Sequence, residues 1–281
     1  MHPGAMLLDD RQLETAWWGP PPSEAPTLVL LHEGLGCIAL WRDVPDLLAA
    51  ATGCGVFAYS RFGYGQSDSK PLPWPLTYMQ DEARDVLPRV LDAAGIREAI
   101  LVGHSDGGSI AAVYAGDARD RRLRGVVLIA AHFFVEDLNI ASIRQIRAEY
   151  EQGALRERLA RYHRNVDVAF RGWNDSWLHP GFRSFDITAE VAGIDVPILA
   201  LQGADDPYGT PAQLDVLQQH ARVPLETLVM PGARHAPHLE AKQATLDTVV
   251  RFVQAAFPPP GASRARPAHT PPLPGPRAGS R

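Results

Sequence analysis

The sequence predicts an α/β fold: a mostly parallel, doubly wound sheet interrupted once by a helical insertion. Three observations carry this. Short apolar runs alternate with helical periodicity over residues 27–130 and again over 196–257, the pattern of strands joined by crossover helices. Between them, from about residue 136 to 190, the alternation stops and a segment rich in Arg, Glu, Tyr and Trp takes over. Finally, residues 99–108 (AILVGHSDGG) place a G-x-S-x-G turn, Gly103 to Gly107, between an apolar strand and an Ala-rich helix. In such an elbow the serine, Ser105, sits on a strained turn. Strand and helix pass so close there that Gly103 and Gly107 must lack side chains. A glycine-rich loop with an incidental serine is the alternative for those five residues alone. Their setting argues against it.

Taken in order, residues 12–18 (QLETAWW) read as a strand closed by Gly19-Pro20-Pro21-Pro22. Residues 27–31 (TLVLL) are a strand apolar on both faces, running into His32-Glu33-Gly34-Leu35-Gly36-Cys37. A helix with apolar positions at Trp41, Val44, Leu47 and Leu48 leads to a strand at 56–59. The glycine-punctuated loop 60–68 (SRFGYGQSD) and a helix over 77–94 precede the elbow strand. Residues 125–130 form the next strand, and helical periodicity around 140–162 marks the insertion. Strand 196–202, a helix near 211–221, strand 225–229 and a helix over 239–257 complete the body. The organisation expected is a core in two parts, 1–136 and 191–257. Residues 137–190 are read as a lid over the carboxyl ends of the strands, where such sheets bind ligands. Residues 258–281, rich in Pro, Gly, Ala and Arg without periodicity, are read as a disordered tail.

Composition narrows the function. A net charge of −5 with no Lys/Arg stripe argues against nucleic acid as a partner. Cys37 and Cys54 are too few for a disulfide framework or a cysteine-based zinc site. The N-terminus lacks a basic region followed by an apolar one, and the apolar run over 125–135 is too short to span a bilayer. These features predict a cytoplasmic protein with no membrane span, acting on a small molecule. They leave its oligomeric state open.

A serine hydroxyl becomes a nucleophile when a base takes its proton and a third group orients the base. In an elbow fold the partners follow in the order serine, acid, histidine. Asp205 and Asp206, at the end of a late strand, are the candidate acids, with Asp137 a minor one. His235 and His238, in MPGARHAPHLE, are the candidate bases. The two histidines lack the HExxH frame or cysteine partner of a metal site. His104 reads as a hydrogen-bonding residue beneath the turn. Cys37 lacks a base and Ser67 lacks an elbow.

With HEGLG, RFGYGQSD, GHSDGG, QGADDPYG and GARHAPHLE in this order, residues 27–257 resemble the α/β-hydrolase superfamily, in its esterase, proline-iminopeptidase and biotin-pathway-esterase-like branch. The resemblance implies Ser105 as nucleophile, Asp206 (three residues after Gly203) as acid, and His235 (first in H-x-P-H-x-E) as base. It also implies the backbone N–H groups of Asp106 and Gly34 as oxyanion donors, and no cofactor. Two positions depart from the family pattern. Glu33 stands where the loop normally reads His-Gly, and is either a solvated or salt-bridged loop residue or a carboxylate facing substrate. Asp106 replaces a more usual apolar or amide residue, and is either a helix-start acid favoured by the dipole or a second substrate-facing carboxylate. Glu33, His132, Trp173 and Trp177 are the candidate substrate-binding residues. The aromatic cluster Phe170, Trp173, Trp177, Phe182 and Phe185 is expected to pack the lid more than to contact substrate. The expected function is hydrolysis of a small carboxylic ester through an acyl-enzyme. The alternatives are an aminopeptidase or an amide/amino-acid-ester hydrolase, then a cofactor-free haloperoxidase or carbon–carbon hydrolase, then a non-catalytic ligand-binding receptor of the same fold.

Overall fold

A computed structural model describes residues 1–258. The Pro-rich tail read from the sequence lies, from residue 259 onward, outside the described residues. Eight strands form one sheet: β1 (His2–Leu8), β2 (Arg11–Trp18), β3 (Thr27–Leu31), β4 (Gly55–Tyr59), β5 (Ala99–His104), β6 (Leu123–Ile129), β7 (Ile198–Gly203) and β8 (Leu225–Met230). Their order is β1-β2-β4-β3-β5-β6-β7-β8, antiparallel for β1–β2 and β2–β4 and parallel from β4 to β8. The elbow strand β5 lies centrally, hydrogen-bonded to β3 on one side and β6 on the other. The loops after β3 and β5 therefore open side by side at the carboxyl edge of the sheet.

Strand periodicity divides the core into two layers. Leu28, Leu30, Ile100 and Val102 point to the face covered by α1 (Val44–Thr52). Val29, Leu31 and Leu101 point to the other, which is covered by α2 (Tyr78–Asp81), α3 (Leu87–Ala93) and α4 (Asp106–Asp117). Between β6 and β7 come α5 (Asp137–Glu151), α6 (Ala154–Leu159), α7 (Val166–Leu178) and α8 (Thr188–Gly193). Then α9 (Ala212–His220) joins the second face, and α10 (Pro237–Glu240) and α11 (Lys242–Ala256) follow β8, with α11 packed beside α1. No helix among the described residues is long and apolar enough to cross a membrane.

Three local readings change. Strand β1 was not expected: it is an edge strand exposed along most of its length and carries no alternation. It is joined to β2 by Asp9-Asp10, both at positive φ, a two-residue hairpin without the usual Asn-Gly or Asp-Gly signal. The single helix expected over 77–94 contains a π-helical turn at Glu82–Val86, just before Pro88, whose missing N–H cannot continue the regular ladder. The helix expected over 239–257 breaks at Ala241 (φ −117°), separating α10 from α11. Within α10, Glu240 folds back to accept the N–H groups of Arg234 and Ala236, which fastens this short helix to the loop before it.

Candidate active site

Ser105 occupies the turn between β5 and α4 with φ 52° and ψ −119°. Close approach makes the two flanking glycines obligatory. A Cβ on Gly103 would stand 2.2 Å from the Gly107 carbonyl oxygen, and one on Gly107 would stand 2.0 Å from that of Leu31. A non-glycine residue held in such a region carries strain of ~1–3 kcal/mol. Ser105→Gly is therefore expected to melt a few degrees above Ser105→Ala, at ~2–4 °C per kcal/mol for a domain of this size. A glycine variant that melts below the alanine variant would show the turn to be unstrained.

The side chain of Ser105 meets two others from distant loops. His235 Nε2 stands 2.9 Å from Ser105 Oγ, and His235 Nδ1 stands 2.9 Å from each carboxylate oxygen of Asp206. Asp206 is held in turn by Gln202 Nε2, which donates to Oδ2 at 2.6 Å, and by the Tyr208 N–H, which donates to Oδ1 at 2.8 Å. Burial would raise its carboxyl, but the hydrogen bond and charge of His235 outweigh that and hold it below the usual range. Such a relay can draw a proton from the serine hydroxyl towards the imidazole.

The remaining candidates fall elsewhere. Asp205 is exposed, and its backbone N–H donates to the Ala233 carbonyl. Asp137 pairs with Arg183 on the surface. His238 is buried against His104 and Trp41. His104 Nε2 donates to the His235 carbonyl at 2.7 Å, beneath the elbow. Burial pushes the Cys37 thiol up to about 12, and Ser67 bonds Glu14 and Ser60 within the body.

Two features shape the space above Ser105. The Asp106 N–H begins α4 and so has no acceptor within its helix. Gly34 lies in the loop after β3, whose carbonyls at His32 and Glu33 accept from the buried Arg61 guanidinium at 2.5 and 3.0 Å. The two departing carboxylates differ in setting. Asp106 turns its side chain into the body, where Tyr78 donates to it at 2.5 Å and Trp177 Nε1 at 3.3 Å. Burial raises its carboxyl, offset in part by Arg61 and these two donors. Glu33 Oε2 lies 3.5 Å from His104 Nδ1. Burial alone would raise its carboxyl, but His104 outweighs this and takes it well below the usual range.

A cavity of about 180 Å³ opens on Ser105, bounded by the β3 loop, the elbow, and side chains of α5, α7 and the β7 loop. This geometry can be compared with known proteins. The sequence profile of the alpha/beta hydrolase family matches residues 28–248. The chain belongs to the alpha/beta hydrolase family. A non-heme chloroperoxidase of Streptomyces lividans is 27% identical over 228 residues, covering 69% of this chain and 80% of that protein. A proline iminopeptidase of Lactobacillus helveticus is 32% identical over 106 residues, which is 38% of this chain and 36% of the iminopeptidase. A carboxylesterase structure from Nitrososphaera gargenis superposes with a TM-score of 0.71 at 18% identity, over 90% of this chain and 98% of that one, a likeness of fold.

In this alpha/beta hydrolase, Glu33, His132, Trp173 and Trp177 all line the cavity. The other aromatic residues of the insertion pack: Phe170 stacks on Tyr150 at 3.6 Å, and Phe182 on Phe185 at 5.1 Å and on Tyr78 of the body at 6.2 Å between ring centres. Leu35, Asn139, Ile143 and Tyr208 also line the cavity without having been singled out from the sequence. Tyr208, two residues after Asp206 and 4.6 Å from the His235 ring, was within reach of the DDPYG motif. Asn139 and Ile143 sit in a helix of the insertion and offered no signal. Gln202, the last residue of the strand read over 196–202 and the first of QGADDPYG, was not marked as a partner of Asp206.

Proposed function

We propose that this hydrolase cleaves small carboxylic esters by acyl transfer through Ser105. The observation that carries the reading is the unbroken contact from Asp206 through His235 to Ser105. Ser105 Oγ attacks the ester carbonyl as its proton passes to His235 Nε2. Asp206, accepting from Nδ1–H, keeps the imidazole in the tautomer that can receive that proton. The N–H groups of Asp106 and Gly34 receive the developing oxyanion. His235 then protonates the leaving alkoxide, and water attacks the acyl-enzyme by the same relay in reverse. The cavity volume, below the roughly 300–1,000 Å³ of pockets for drug-sized ligands, favours a small substrate.

The amine-directed alternative, an aminopeptidase or amino-acid-ester hydrolase, needs substrate-facing carboxylates. Asp106 is occupied by Tyr78 and Trp177, which leaves Glu33, 3.5 Å from His104 Nδ1, as the one carboxylate of the two that could face an ammonium group. A receptor of the same fold has no use for an aligned proton relay.

The test is turnover of p-nitrophenyl esters across pH. His235 accepts the proton only when neutral, whereas Asp206 is already ionised because its carboxyl is held low. The value of kcat/KM should therefore fall as pH drops through the protonation of His235. His132, pushed down to about 3 chiefly by burial, is neutral throughout and adds no second limb. A profile flat down to about pH 4.5 would remove His235 as the base.

A further inference from the structure

Beside the two backbone N–H groups assigned to the oxyanion, two side chains that line the cavity, His132 and Trp173, carry N–H donors with no acceptor among the described residues. The first belongs to His132. Asn139 Oδ1 accepts the Glu136 N–H, and its Nδ2 donates to the Tyr208 carbonyl, so the orientation of the amide is set by its partners. Nδ2 also lies 3.4 Å from His132 Nδ1. An amide NH₂ only donates, so Nδ1 is the acceptor and the imidazole proton sits on Nε2. Burial, helped by the neighbouring His235, keeps this ring neutral. The ring lies nearly parallel to that of His235 at 5.6 Å and edge-on to Trp177 at 5.3 Å. No acceptor for its Nε2–H is found among the described residues.

The second donor is the Trp173 indole. Its N–H edge rests on Gly34, where an added Cβ would meet Nε1 at 2.0 Å, so the nitrogen stands beside the loop offered to the oxyanion. Trp173 Nε1 makes no hydrogen bond among the described residues. The contrast with Trp177 is direct, because the Trp177 indole is committed to Tyr78 at 3.0 Å as well as to Asp106.

Most other polar side chains around the cavity already have neighbours. Asn139 uses both ends of its amide, Asp106 is held by two donors, Glu33 faces His104, and Ser105 and His235 face each other. Resting on the ester-hydrolase reading above, we infer that the substrates are small esters carrying a second oxygen acceptor near the scissile carbonyl, which the N–H groups of His132 and Trp173 bind. The physical reason lies in what a purely apolar ester does to the site. It displaces water from both donors and returns no acceptor, leaving buried N–H groups unpaired. An ester with an ether or carbonyl oxygen in that place restores the bonds, and a site built on such donors discriminates against the analogue that lacks the oxygen.

The experiment compares two near-isosteric pairs of p-nitrophenyl esters, methoxyacetate against butyrate and 3-methoxypropanoate against pentanoate. Each ratio of kcat/KM is divided by the same ratio for hydroxide-catalysed hydrolysis, which removes intrinsic reactivity. The wild type should prefer the oxygen-bearing member of at least one pair by about tenfold or more. In His132→Phe or Trp173→Phe that corrected ratio should shrink towards one, whatever the absolute rate of the variant. A corrected ratio near one in the wild type overturns the inference, as does a preference that survives intact in both variants. No turnover of any of the four esters would instead remove the ester-hydrolase reading on which it rests.

Discussion

Asp206→Asn is expected to lower kcat by about four orders of magnitude, whereas Asp205→Asn should change it little. The two acids are adjacent in sequence and opposite in setting. Asp206 has an almost fully buried carboxylate that receives His235 Nδ1 on both oxygens and is braced by Gln202 and the Tyr208 N–H. An asparagine there would set an NH₂ group against one of those donors or turn its oxygen away from the imidazole. The first leaves two donors facing each other and the second, with NH₂ towards Nδ1, favours the wrong tautomer of His235. Asp205 contributes to the turn through its backbone N–H, which an asparagine retains. Steady-state kinetics on one activated ester decides the matter, and the reverse ranking would exchange the two roles.

Removing the proposed nucleophile should have the larger effect. Ser105→Ala is expected to reduce kcat by about six orders of magnitude, because the acyl-enzyme cannot form. The substitution leaves the backbone of the elbow in place, so a folded protein with an intact cavity should result. Circular dichroism and the melting temperature check this. A folded Ser105→Ala protein that keeps more than about a hundredth of the activity would mean that another group attacks.

Much of the fold was legible because its determinants are local. The runs TLVLL and AILVGH are apolar on both faces, and only burial between two helical layers suits such strands. The glycines around Ser105 were legible for a steric reason: no side chain fits at Gly103 or Gly107. What stayed hidden depends on long-range contacts. Strand β1 is exposed and has no pattern, and the π-helical turn before Pro88 puts a buried Glu82 against Tyr59 across the fold. The settings of Glu33 and Asp106 could not be read either, because their partners His104, Tyr78 and Trp177 come from other elements. Asn139 illustrates the same limit. Its effect on His132 arises from a helix end meeting the β7 loop, and neither segment marks it.

Whether Ser105 attacks to form a covalent intermediate is tested by labelling the protein with a fluorophosphonate and mapping the adduct by peptide mass spectrometry. One adduct per chain is expected, on Ser105, formed much more slowly in His235→Ala and absent in Ser105→Ala. An adduct on any other residue, or labelling undiminished in Ser105→Ala, would contradict it.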